Sequence, residues 1–212
     1  MPELIAGIEI PDSGTAAEAT RLVVEAATPL LFHHSRRVFL FGSLRAARLG
    51  LAPHPELLYV AAMFHDLGLV RPFSDAEQRF EIDGADHARR FLLDRGWSAQ
   101  ATDVVWNAIA LHTTPGIPIR MGPEIAAVQL GVHVDAVGAG LDDLPPDLVA
   151  EIVDAHPRDN FKRAFLQATY DGIKDRPNTT YGTVNADVLT HFEPEFRLPS
   201  MVDRVLNSDW AD

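Results

Sequence analysis

The chain has no cysteine among its 212 residues. Disulfides, thiolate catalysis and cysteine-ligated zinc are therefore excluded at once. Bases are scarce as well: 18 Lys and Arg stand against 30 Asp and Glu, a net charge of −12. Neutralising nucleic-acid phosphates takes clustered Lys and Arg, so this balance argues against a general nucleic-acid binder and leaves room only for a local basic pocket. Long apolar runs are missing too. The longest, Leu57 to Phe64, falls far short of the ~20 residues that span a bilayer. Met1 to Asp12 carries acid instead of the basic n-region and apolar core of a secretory signal. A soluble, cytoplasmic protein without membrane partners is expected. With 47% hydrophobic and 23% charged residues, the composition is that of an ordinary globular chain, and collagen-like or disordered classes fall away.

Strict apolar–polar alternation, the mark of strands, is also hard to find. Apolar residues recur at three- and four-residue steps instead. The pattern predicts a helix from just after Asp12-Ser13 to about Ala27, and a second from Pro29 to Leu49, stopped by Gly50. Pro55 opens a third that runs to His65-Asp66 and is broken by Gly68 and Pro72. Further helices are predicted over 83–95, from the Ser98 cap to about His112, and over 123–137, 146–155 and 159–174. Residues 70–82 and the tail after Pro177 read as irregular. There is no internal repeat and no long linker, so the chain reads as one all-α domain, a helical bundle.

The informative residues are titratable groups on apolar stripes, because a buried charge needs a partner. His34 shares a stripe with Leu31, Val38 and Phe41. His65 shares one with Leu58, Ala61 and Ala62, and Asp66 follows beside Ala62 and Met63. His112 lies with Val105, Ala108 and Ile109. Asp135 continues Ile125, Val128 and Val132 at steps of three, four and three. Each alone reads as an ordinary core histidine or a salt-bridged acid. Together, on separate helices of a small bundle, they satisfy one another by sharing a metal ion. His133 lies about 160° around its helix from Asp135 and is expected to point elsewhere.

The order His34, His65-Asp66, Asp135 on successive helices resembles the HD-domain metal-dependent hydrolase superfamily. The strings His34-Ser35-Arg36-Arg37-Val38, Met63-Phe64-His65-Asp66-Leu67-Gly68 and Val132-His133-Val134-Asp135 carry the likeness, over a core of about residues 30–140 with an extension over 141–212. The resemblance implies a single HD-type bundle in which His34, His65, Asp66 and Asp135 bind one divalent transition metal. Two imidazoles and two carboxylates suit Zn, Fe, Mn or Ni without selecting among them. The His-Ser-x-Arg-Val string and Ala110-Leu111-His112 look most similar to the cyanamide-hydratase-like branch, with His33 standing where that branch has an amide residue. A His, His-Asp, His, His, Asp order through His87 and His112 also resembles binuclear members. The weak stripe around His87 points to a solvated or outer position for it.

The expected chemistry is hydroxide generated at neutral pH attacking a small-molecule substrate. The favoured reading is hydration of a cyanamide- or nitrile-like carbon, with His112 passing a proton to nitrogen and Thr113 positioning substrate. The alternative is a phosphohydrolase of a nucleotide or phosphomonoester, with Arg37, three helical steps from His34, as the best clamp for oxygens, ahead of Arg36 and Lys162. The third is a non-catalytic helical interaction domain. The Asn178-Thr179-Thr180-Tyr181-Gly182 run offers either a closure for the pocket or a contact between copies in a homo-oligomer.

Overall fold

The computed structural model describes residues 3–198 and 200–210. Among them the chain forms ten α-helices and one short antiparallel hairpin, β1 (Leu4–Ile5) with β2 (Ile8–Glu9), turned at Ala6-Gly7 with both φ positive. The first three helices begin where side-chain chemistry predicts. In α1 (Gly14–Ala26) the Ser13 hydroxyl accepts from the Ala16 N–H, and in α2 (Pro29–Arg48) Thr28 accepts from Leu31 with proline in the first turn. Proline also opens α3 (Pro55–Phe64). Then come α4 (Phe80–Leu93), α5 (Ala99–Ala110), capped by Ser98, and α6 (Pro123–Val132), which runs on into a π-helical turn, His133–Val137. The chain continues through α7 (Pro146–Ala155), α8 (Phe161–Ile173), α9 (Asn185–Phe192) and α10 (Met201–Leu206). No helix among the described residues is long and apolar enough to cross a membrane.

Helix α3 is the axis of the core. Every residue from Leu57 to Phe64 is buried, which is why this helix is apolar all round instead of on one stripe. Helices α1, α2, α4, α5 and α6 pack around it. It delivers His65 and Asp66 at its C-terminal end, in the middle of the bundle.

Helices α2 and α6 cross with their backbones nearly touching. A Cβ on Gly42 would lie 2.5 Å from the Ala127 carbonyl oxygen, and one on Gly131 would collide with the Val38 carbonyl. Glycine at both positions lets α6 carry its C-terminal turn up against the His34 face of α2.

Two regions depart from the sequence pattern. Helix α4 starts three residues early, because Phe80 is buried with Leu69, Ile173 and Leu189 in a second apolar cluster. The tail is not irregular: α9 folds onto α8, with Leu189 in that cluster. Buried Arg176 fastens this extension to the middle of the chain. It pairs with Asp83 and donates to the carbonyls of Gly68, Asp75, Gln78 and Gly172.

At the other end of the site, His156 is buried against Phe32, accepts from Arg36 Nε at 3.2 Å, and lies with its Nδ1 3.1 Å from that of His33. Burial, and then the charges of Arg36, His33 and Arg37, lower its pKa to about 3. Between pH 6.5 and 3 the unfolded chain therefore holds a proton that the fold refuses, and stability falls as the pH falls.

Two outcomes follow for urea unfolding. Gly131→Ala lowers stability by about 3 kcal/mol or more, since the clash is with backbone. The loss of stability between pH 7 and pH 5 is smaller in His156→Gln than in the parent chain.

Candidate metal centre

Two hydrogen bonds, one local and one between distant helices, decide which face of each imidazole is available. His65 sits just past the end of α3, and its Nδ1–H donates to the Ala62 carbonyl at 2.7 Å. The Nδ1–H of His34 donates to Asp135 Oδ2 at 2.6 Å. With both Nδ1 atoms committed, each neutral ring presents a bare Nε2, and the two Nε2 atoms face each other 3.2 Å apart. Asp66 Oδ2 completes the group at 3.5 Å from His34 Nε2 and 3.2 Å from His65 Nε2. It is fully buried and has no hydrogen-bond partner.

Three buried lone-pair donors within 4.8 Å of one another, one of them an orphaned carboxylate oxygen, fit a divalent cation. Burial works against charge throughout. Even so, the imidazoles of His65, His112 and His34 hold the Asp66 carboxyl well below the usual carboxylate range. The His65 pKa is correspondingly raised by Asp66 against its own burial, whereas burial keeps that of His34 lowered.

Asp135, expected from the resemblance as the fourth ligand, does not join this trio. Its carboxylate is gripped from behind. Arg37 donates to it from Nε (2.8 Å) and Nη2 (3.0 Å), Arg158 pairs with Oδ1, and His34 Nδ1–H occupies Oδ2. Burial opposes its ionisation, but His34 and Arg37 bring the pKa down to about 2. As placed, Asp135 orients the imidazole of His34, as carboxylates behind metal-binding histidines commonly do.

Arg37 is a correction to the sequence reading. It faces the same side as His34, as the helical spacing implied, but it is fully buried and does not reach the pocket. Two donors grip Asp135, and Nη1 donates to the carbonyls of His156 (3.0 Å) and Pro157 (2.7 Å). Four of its five N–H donors are thus spent inside the protein. The other proposed clamps are elsewhere as well. Arg36 binds Tyr59, His156 and Glu3, and Lys162 is exposed on the far side of Asp135. His87 packs edge-on against Phe73 beside Arg90 and is not part of the trio.

A pocket of about 310 Å³ opens over the trio. His112, at the end of α5, lines it. Its Nδ1–H donates to the Ile109 carbonyl at 2.6 Å, which turns Nε2 toward Asp66 Oδ1, 3.6 Å away. Thr113 lines it too, but its hydroxyl proton is directed away, to Glu81.

Two wall residues, His133 and Asn185, and Glu81 behind the wall have no role in the sequence pattern. His133 reaches the pocket on the π-helical turn, and burial, then the charge of His112, lowers its pKa. Glu81, completely buried, takes hydrogen bonds from Arg79 Nη2 (2.9 Å), Thr113 and Asn185 Nδ2 (2.9 Å); burial raises its pKa, but Arg79, then the charge of His112 and the Thr113 hydrogen bond, lower it overall. Asn185 arrives from α9. The only sequence signal for Glu81 was its place in the first turn of a helix, where acids are common.

Fold and site together define a helical domain built to hold a divalent metal at the floor of a pocket. The HD domain family matches residues 31–158, more than half of the chain, and the chain belongs to that family, whose members are generally metal-dependent hydrolases. A search of curated proteins finds no match.

His65→Ala and Asp66→Asn are expected to abolish stoichiometric metal in the purified protein, read by elemental mass spectrometry. Asp135→Asn keeps the metal but weakens its retention against a chelator by about 10–100-fold. Complete loss in that variant would instead place Asp135 among the ligands.

Proposed function

We propose that this protein is a metal-dependent HD-type hydrolase or hydratase that adds water to a small, uncharged substrate, with a nitrile- or cyanamide-like carbon as the reacting centre. One observation carries the reading: among the described residues, no Lys or Arg lines the pocket over the trio. Phosphoryl transfer relies on cationic clamps for the oxygens of the transferring group, and the three candidates for that role are bound or turned away. A buried trio with an orphaned carboxylate oxygen speaks equally against a domain kept only for interactions, since without an ion it is a net cost.

His34, His65 and Asp66 would hold the ion, and a bound divalent cation supplies Lewis acidity and a water of lowered pKa. The remaining roles belong to this chain's own side chains. His112 Nε2, left with a free lone pair by the Nδ1–H bond to Ile109, takes a proton from the attacking water and returns it to the substrate nitrogen. Thr113, whose proton is given to Glu81, offers no donor to the pocket and so accepts from the N–H of a cyanamide-like head. Phe80 and Phe165 keep bulk water from the floor.

The test is a pair of assays on metal-replete protein. Cyanamide or a simple nitrile is hydrated, and simple phosphomonoesters are left intact; the reverse result would sink the reading. His112→Ala lowers kcat about 10²–10⁴-fold with metal content unchanged.

A further inference from the structure

The pocket is too large and too apolar for its reacting head alone. Its volume of about 310 Å³ is room for roughly ten waters at about 30 Å³ each, whereas cyanamide has three heavy atoms. Away from the trio, the wall opposite the HD residues comes from α8 and α9, outside the matched segment 31–158. Phe165, Leu166, Val184 and Val188 form its apolar part, and its two polar members, Thr169 and Asn185, are hydrogen-bonded within the protein. Thr169 Oγ1 donates to the Phe165 carbonyl at 2.9 Å, and an Asn185 amide N–H goes to Glu81. Three apolar side chains that line the pocket also remain exposed: Val137 at 75%, Val184 at 46% and Leu166 at 38%. A single exposed valine needs no explanation. Three around one opening, above a floor that holds the chemistry, form a binding surface.

We infer that the substrate is a neutral molecule with an apolar body, aryl or branched alkyl, attached to the reacting head and seated against Phe165, Leu166, Val184 and Val188. The assignment of the head rests on the function proposed above; that of the body rests on the α8–α9 wall alone. Burying the body removes apolar surface on both partners from water. It also fixes the head over the trio, so the extension acts as the specificity element of the site.

Calorimetry on the zinc-loaded full chain tests both parts separately. The probes are three head groups, each with a methyl or a phenyl body: acetonitrile and benzonitrile, acetamide and benzamide, methyl phosphate and phenyl phosphate. The phenyl member is expected to bind at least tenfold tighter than its methyl partner. Leu166→Ser and Val184→Ser, both at exposed side chains, reduce that ratio several-fold without changing zinc content. Equal affinity within every pair, or no binding by any phenyl member at its solubility limit, overturns the inference, and the parent chain alone decides this. A phenyl preference that persists with phosphate as the tightest head would leave the apolar body standing and remove the nitrile-like head. Tight nitrile or amide heads with no effect of the body would do the opposite.

Discussion

Three lone-pair donors meet in the centre of this protein. His34 Nε2, His65 Nε2 and Asp66 Oδ2 lie 3.2–3.5 Å apart in a buried space. In a medium of low dielectric such a juxtaposition is repulsive unless a proton or a metal cation resolves it. The surrounding fold commits several strong interactions to maintaining it. The Nδ1–H bonds to Ala62 and Asp135 prevent either ring from turning to offer a proton. The apolar α3 delivers His65 and Asp66 as a rigid end, and the glycine contact between α2 and α6 brings Asp135 up behind His34. Binding of a metal by this trio would be coupled to folding, because the trio exists only when the bundle is formed.

The support behind the trio is itself ionic. Buried Arg37 and Asp135 and the partly exposed Arg158 form a group over the face of Phe161, with guanidinium carbons 4.9 and 4.5 Å from the ring centre, and Phe161 stacks on Phe165. Buried ion pairs are weak contributors to net stability, since desolvation offsets much of their attraction. Their use here is geometric. Two guanidiniums and an imidazole leave the Asp135 carboxylate one orientation, and His34 inherits it.

The pocket divides its labour along the chain. Residues within the HD segment bring the ion site, His112 and Thr113. The extension brings an apolar wall and, through Asn185, one of the groups that hold Glu81 in place. Arg176 ties the two parts together by reaching carbonyls on both sides, so the wall stands in a fixed relation to the floor. Helix α4 contributes Glu81 to the same place because Phe80 is drawn into the second apolar cluster.

Much of this was legible before any coordinates. Helical periodicity marked α1 to α3 and α5 to α8 within a few residues, because an amphipathic stripe and its caps are properties of adjacent residues. The same stripes turned His34, His65, Asp66 and His112 inward, where the structure has them. Helical spacing even placed Arg37 on the His34 face, but spacing carries no information about what a long side chain meets. Its partners, Asp135 and the 156–157 carbonyls, lie about a hundred residues away. The π-helical turn escaped for a related reason: it moves His133 onto the pocket wall and leaves Asp135 behind the ring, a shift invisible to a count made at 3.6 residues per turn. Helix α9, with Leu189 and Asn185, became readable only against the surface of α8 and Leu69. The sequence by itself determined that polar residues stand on buried helix faces. Only tertiary packing decided which lone pairs confront one another, because that depends on distances between helices that no local period encodes.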